Sequence, residues 1–229
     1  LKDEIKKIMQ SLGASLVGFG YIGDLGYDEF YGMDYAVSFA VRMVDGVMDA
    51  VVGGPTYTYY HLYRTVNALI DDIGLKASIY LEEMGFKAIP IPASQSVGEL
   101  KAAFPHKTAA TRAGLGWIGK NCLLITREYG PRVRLGTVIT NAQLVVDKPI
   151  VESECGNCDL CVRKCPSLSL KNTLWYAGME RDEIVDARNC SEFMKRNYNK
   201  IGYGHVCGIC ISCCPKGEKR IRHQSPFTI

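Results

Sequence analysis

Nine of the ten cysteines in this 229-residue chain fall between Cys155 and Cys214, and only Cys122 stands outside. Such crowding constrains the chain more than anything else in it. A chain this long, with 47% hydrophobic residues, can bury an ordinary core and needs no disulfide framework spread over it. At 22% charged residues it is not a disordered chain, and its net charge of +3 is too small to argue for nucleic acid by itself. The opening LKDEIKKIMQ is charged and amphipathic, unlike a signal peptide. No apolar run approaches the roughly 18 residues of a membrane span. The expectation is a cytoplasmic protein whose cysteines are reduced or hold metal, with no membrane partner.

The first run is Cys155-Gly-Asn-Cys158-Asp-Leu-Cys161-Val-Arg-Lys-Cys165-Pro166. Its C-x2-C-x2-C-x3-C-P spacing is that of bacterial-type ferredoxins, in which three closely spaced thiolates wrap one [4Fe–4S] cluster and the fourth serves the other. The second run is Cys207-Gly-Ile-Cys210-Ile-Ser-Cys213-Cys214-Pro215, with Cys190 in the segment between. The crossed pattern assigns Cys155, Cys158, Cys161 and Cys214 to one cluster. It assigns Cys165, Cys190, Cys207 and Cys210 to the other. An alternative uses Cys213 in place of Cys190 or Cys214. Zinc is the competing reading, since C-x2-C pairs bind it well, but the run is tighter than common zinc spacings. Cys122 heads an apolar stretch and reads as a plain buried thiol.

Residues 1 to about 149 read as α/β. Leu1, Ile5, Ile8, Met9 and Leu12 recur at helical spacing, with Gly13 as the stop. ASLVGFG (14–20) and YAVSFAV (35–41) read as buried strands. A helical stripe runs from Pro55 to Gly85, where Gly74 is a point to kink or split it. FKAIPI (86–91) reads as a strand broken by Pro90, HKTAATRAG (106–114) as a short helix, and CLLIT (122–126) and VRLGTVIT (133–140) as two more strands. After about residue 150 the chain turns cysteine-rich and loses periodicity, which places a domain boundary there.

Residues 114–121, GLGWIGKN, satisfy both G-x-G-x-x-G and G-x4-G-K. Neither nucleotide motif fits its surroundings. Both need a strand before and a helix after, and here a helix precedes and a strand follows. The phosphate loop also wants Ser or Thr where this chain has Asn121. Two readings stay open: a structural turn with Trp117 in the core, or a cradle in which Lys120 meets an anionic group.

AGLGWIGKN (113–121), VRLGTVITNAQL (133–144) and the two cysteine runs together resemble the epoxyqueuosine reductase-like family, which is related to the corrinoid-dependent reductive dehalogenases. GASLVGFG, YAVSFAVRM and YYHLYRTVNAL follow in the same order. The resemblance implies a nitroreductase-like α/β (α+β) domain over 1–149 that binds a corrinoid. A ferredoxin-like domain with two [4Fe–4S] clusters would follow over 150–229. It implies a base-off cobalamin between them, fed with electrons by an external donor of ferredoxin or flavodoxin type. Carried over position by position, Gly114, Gly116, Trp117, Gly119, Lys120 and Asn121 would line the corrinoid. Tyr60 and His61 match a Tyr-His pair and would face cofactor or substrate, or else serve as helix surface.

Two departures stand out. The family's aspartate upstream of the glycine loop is absent from GELKAAFPHKTAATRAGLGW (98–117), leaving His106 and Lys107 as the strong proton donors. The chain ends at Ile229, with no helical-repeat extension, which leaves the substrate open between a small molecule and tRNA. The tail PKGEKRIRH (215–223) is basic, as either a solvated tail or a nucleic-acid contact would be. The expected function is therefore a corrinoid-dependent oxidoreductase. The alternative is a non-corrinoid electron-transfer protein or reductase partner.

Overall fold

The computed structural model describes residues 1–26, 32–94, 98, 102 and 104–219. The basic residues Arg220, Arg222 and His223 of the tail lie outside them. The first half is built on a four-stranded antiparallel sheet of β1 (Leu16–Tyr21), β2 (Tyr35–Arg42), β3 (Ala88–Ile91) and β6 (Val133–Thr140), in the order β1-β2-β6-β3. The sheet carries helices on both faces. On one lie α1 (Lys2–Ser11) and α3 (Tyr57–Glu83), on the other α4 (His106–Arg112).

Alternation along the strands sorts the residues between these faces. Val17, Phe19, Val37, Phe39 and Val138 meet Ile5, Met9, Val66, Ile70 and Ile73 of α1 and α3 in one core. The opposite positions are small. Gly18, Gly20, Ala36 and Ser38 let the end of α4 lie directly on the sheet. Gly136 stands opposite Phe39 in the register, and a Cβ there would sit 2.2 Å from the Phe39 ring and 2.7 Å from Ile70. The large ring of β2 is thus accommodated by the missing side chain of β6.

Three details differ from the sequence expectation. α3 runs unbroken for 27 residues, capped by Thr56, whose hydroxyl accepts from the Tyr59 N–H at 3.0 Å. Gly74 does not split it. It is buried, and a Cβ there would stand 3.5 Å from the Pro90 Cβ, in ordinary packing contact of helix on strand. Pro90 does not break β3 either, because among the described strands β3 pairs with β6 alone and an edge strand tolerates a missing N–H. Finally, CLLIT contributes only β5 (Leu124–Ile125). It pairs not with the main sheet but with β4 (Trp117–Ile118) of the glycine loop, in a small separate hairpin. At the other edge of the sheet, Asp147 lies against β1. Its N–H donates to the Phe19 carbonyl at 2.8 Å, and its carboxylate accepts from the Phe19 N–H at 2.9 Å.

Among its described residues the second half has the helices α5 (Leu160–Arg163), α6 (Ala187–Tyr198) and α7 (Ile209–Ser212), with loops and two single 3-10 turns between. Its apolar residues pack on the first half in two clusters, and Glu218 and Lys219 bond to the Arg127 and Glu128 carbonyls besides. Trp175, Ile184 and Val185 join Trp117, Ile118, Leu124 and Ile125 of the β4–β5 hairpin. Val206 and Ile209 join Tyr59 and Met43, Met48 and Val51 around α2 (Asp45–Asp49). Arg132 ties this second contact. Fully buried, it donates to Asp45 Oδ1 at 2.9 Å, Asp49 Oδ1 at 2.6 Å and the Ser212 carbonyl of α7 at 3.3 Å. Among the described residues no helix is long and apolar enough to cross a membrane.

Candidate functional site

Cys155, Cys158, Cys161 and Cys214 line one small cavity, together with Lys120, Asn121, Ile125, Pro215 and Lys216. The chain reaches it by tight turns. The Cys158 N–H closes on the Cys155 carbonyl at 3.2 Å, and α5 then sets Cys161 on its first turn. Cys214 arrives from far along the sequence, at the end of α7, its N–H on the Ile211 carbonyl at 3.3 Å. Burial pushes the Cys161 thiol up to about 12, helped by the charges Cys213, Cys214, Cys155 and Cys158 would carry. Burial likewise holds Cys214 at about 11. Thiols crowded in this way do not ionise together in water. They become thiolates together when positive metal takes the place of their protons.

A second set gathers around α6. Burial raises Cys190 to about 11, with Cys165 and Cys207 as the nearest thiols that add to it. Burial also raises Cys207 and Cys210, the latter with Cys207 and Cys190 beside it. The N-cap Asp186 accepts the Asn189 N–H at 2.9 Å and the Cys190 N–H reaches the Asp186 carbonyl at 3.1 Å, which fixes Cys190 on the first turn of α6. Cys213 influences Cys161, Cys214 and Cys210 alike, so it lies on the border between the sets. Among the described residues, no group of three or more His, Cys, Asp or Glu side chains converges on one point as ligands of a single ion do. Four thiolates on one zinc stand about 3.8 Å apart, from a Zn–S bond near 2.3 Å. Thiolates that each hold a different iron of a cluster stand further apart.

The glycine loop belongs to the first of these sets. Lys120 and Asn121 are buried on the wall of its cavity. The Asn121 amide donates to the Cys210 carbonyl at 3.1 Å, and its own oxygen accepts the Leu123 N–H at 3.2 Å. The glycines fit the chain to itself. A Cβ at Gly116 would stand 2.2 Å from the Ile125 carbonyl oxygen, one at Gly119 2.7 Å from the Ile125 side chain, and one at Gly114 2.7 Å from the Lys148 carbonyl oxygen. Trp117 is buried, and its indole N–H has no acceptor among the described residues.

Two larger cavities open between the halves, one of about 690 Å³ and one of about 670 Å³. Pro105, Lys107, Glu180 and Arg181 line both, so they adjoin. The larger has a mostly apolar wall that includes Ile118, Cys122, Trp175 and Ile184. The smaller reaches Ile211 of α7, between Cys210 and Cys213. Lys107 stands where they meet, its ammonium donating to the Cys122 carbonyl at 2.7 Å with the Cys122 sulfur at 3.5 Å. Cys122 is buried, as its apolar setting suggested.

His106 also lines the smaller cavity, but both ring nitrogens are engaged. Nε2–H donates to the Pro92 carbonyl at 3.1 Å, and Nδ1 accepts from the Thr137 hydroxyl at 2.9 Å. Burial lowers its pKa, which favours that neutral form. Tyr60 and His61 do not reach these cavities. Tyr60 packs on Gly202, where a Cβ would stand 2.4 Å from its ring, and His61 is exposed. None of the six glycine-loop residues lines either cavity.

Sequence reasoning missed a polar cluster on the wall of the smaller cavity. Arg134 donates to the Asn67 carbonyl oxygen at 3.0 Å and to the Ser94 hydroxyl, with its guanidinium 4.2 Å from the Tyr63 ring centre. Its members are scattered along the chain, and no spacing rule joins them. Trp175 and Ile184 lie in aperiodic segments and gave no signal.

No protein-family profile matches the chain. It is 34% identical over 149 residues to the epoxyqueuosine reductase of Bacillus cereus, a match that covers 60% of this chain and 35% of that enzyme. The chain thus spans about a third of the length of that relative. Among solved structures it is similar to a reductive dehalogenase described for a mechanism of B12-dependent dehalogenation, with a TM-score of 0.73 and 21% identity, over 92% of this chain and 31% of that one. It is also similar to an epoxyqueuosine reductase solved with an epoxyqueuosine-modified tRNA-Tyr stem loop, with a TM-score of 0.66 and 19% identity, over 98% of this chain and 67% of that one. The mixed α/β architecture is therefore shared with both kinds of enzyme. By sequence the chain is therefore similar to epoxyqueuosine reductases and to a tetrachloroethene reductive dehalogenase, and by fold to solved enzymes of both kinds.

Proposed function

We propose that the chain is a corrinoid-dependent oxidoreductase with a nitroreductase-like domain over 1–149 and a ferredoxin-like domain over 150–229 carrying two [4Fe–4S] clusters. The observation that carries this reading is the crossing of the cysteines. Cys214 lines a cavity with Cys155, Cys158 and Cys161, while the charge Cys165 would carry acts on Cys190 and Cys207. That is the exchange of a fourth ligand expected of paired clusters. Cys155, Cys158, Cys161 and Cys214 would hold one cluster, and Cys165, Cys190, Cys207 and Cys210 the other. The adjoining cavities between the halves would receive the corrinoid, with Ile118, Trp175 and Ile184 forming an apolar wall. Bound there, these groups supply one-electron transfer and a strongly reducing metal centre.

The chain's own residues exclude water from that cleft and hold a proton at its waist. Lys107 carries the proton on Nζ, positioned by the Cys122 carbonyl. His106, neutral and bonded at both nitrogens, braces α4 against β6. Electrons would come from a donor of ferredoxin or flavodoxin type in a reducing compartment, the cytoplasm. The substrate class is a small molecule or tRNA, as in the dehalogenase and epoxyqueuosine reductase relatives. Of the glycine loop only Ile118 lines the cleft, while Lys120 and Asn121 line the cysteine cavity, which favours one other reading, an electron-transfer protein without corrinoid.

The test is anaerobic purification, iron analysis and titration with cob(II)alamin under EPR. Eight irons per chain (roughly, for two clusters) and a base-off cobalt signal are expected. Full iron with no base-off signal leaves the electron-transfer protein. Cys190→Ala should cost about four irons and Cys213→Ala none. The opposite result reassigns the ligand set.

A further inference from the structure

We infer that Lys120 is the fixed counter-charge of the cluster that Cys155, Cys158, Cys161 and Cys214 would hold, and that it raises the reduction potential of that cluster above what the thiolates alone would give. This rests on the two-cluster reading above. Lys120 is only 6% exposed and lines the cavity of those four cysteines. Its ammonium has no carboxylate and no hydrogen-bond acceptor among the described residues. Its side chain is largely buried while the ammonium itself is not among the fully enclosed polar atoms, so the charge stands unpaired on the cavity wall, where negative charge in that space would draw it.

The donor set supplies that negative charge. Four thiolates outweigh the positive charge of a [4Fe–4S] core, and reduction adds one more electron to the same space. A nearby ammonium therefore stabilises the reduced cluster more than the oxidised one. Lys120 is also held in advance. The Gly119 N–H closes on the Leu123 carbonyl at 2.9 Å, the Cys122 N–H on the Gly119 carbonyl at 2.8 Å, and Asn121 is bonded on both sides. The loop between Gly119 and Leu123 cannot carry the lysine away without breaking these bonds. The second lysine on the cavity, Lys216, is half-buried with its ammonium 5.8 Å from the Trp117 ring centre, so its charge is already partly engaged.

The experiment uses the anaerobically purified full chain and reads iron content and both midpoint potentials by EPR-monitored redox titration. In Lys120→Gln one potential should fall by a factor of about ten or more in the reduction equilibrium, about 59 mV for one electron. The other cluster, in the same molecule, should stay put and serves as reference. Lys120→Arg should keep the unaltered chain's value. If Lys120→Gln instead loses about four irons while Lys120→Arg keeps them, the charge is needed for assembly, which supports the counter-charge, and the potential is then read after reconstitution with iron and sulfide. It is overturned if Lys120→Gln leaves both potentials unmoved, if both move together, or if Lys120→Arg behaves like Lys120→Gln. An unaltered chain that takes up no iron under the same conditions defeats the two-cluster reading instead.

Discussion

The sheet half and the cysteine half are held together by different kinds of contact. In the first, Phe19, Phe39, Ile70 and Ile73 are fully buried in a core of their own, and the strand register sets the Phe39 ring against Gly136. In the second, α6 contributes no fully buried residue, and Trp175, Ile184, Val185, Val206 and Ile209 all sit in clusters shared with the first half. The thiols are what its loops have in common. A hydrophobic core can order the sheet half unaided, whereas the loops of the cysteine half have little apolar surface to bury among themselves and, on the two-cluster reading, would depend on metal bonds.

The sharpest way to break this contrast is to withhold iron. In the metal-free chain, residues 150–219 should lose their protection from protease while the sheet half keeps its own, read by anaerobic limited proteolysis and mass spectrometry of the fragments. Equal protection of both halves would show that packing alone orders the second. A smaller effect comes from the tie between the halves. Arg132→Met leaves Asp45 buried without its guanidinium, and should cost about 3–5 kcal/mol, read as a lower urea midpoint. The loss should appear first in contacts of α7, where Ser212 gives up a donor.

The smallest effect lies inside the sheet half. Burial lowers the His106 pKa below its ordinary 6.5, so between that lower value and 6.5 the unfolded chain binds more protons than the folded one. His106 therefore favours the fold above about pH 6.5, and that contribution drains away as pH falls toward the folded value. His106→Gln should flatten this part of the stability profile, seen as the difference between the two chains' unfolding midpoints at pH 7 and pH 5.5. A parallel pair of profiles would mean that His106 titrates alike in both states.

The strands and long helix of the sheet half were legible in the sequence because they follow periods of two and 3.6 residues. Misreadings came where a local rule met a tertiary exception. Pro90 is admitted by an edge, Gly74 by close packing, and CLLIT is drawn off by Trp117–Ile118 into another hairpin. The cysteine runs could be read because cluster ligation imposes a spacing on the chain. What the sequence could not locate was the glycine loop. GLGWIGKN has the composition of a cofactor cradle, but only the folded chain places Lys120 beside Cys214, 94 residues later by their numbering, rather than in the cleft. Arg134 with Tyr63, Asn67 and Ser94 was invisible for the same reason.

The Asp147 clasp on Phe19 bears on how this protein behaves in a crowd. An open sheet edge invites strands of other chains to join it and seed aggregation. Here one edge has both Phe19 backbone groups already taken by Asp147, which Lys2 holds in turn at 2.6 Å. The opposite edge is the four-residue strand β3, in which Pro90 lacks an N–H to offer. Both margins of the sheet are thereby poor templates for intermolecular pairing. The stretch that guards the first of them is also the stretch that leads out toward the cysteines, so a chain that has not yet docked its second half would expose the strand most able to stick.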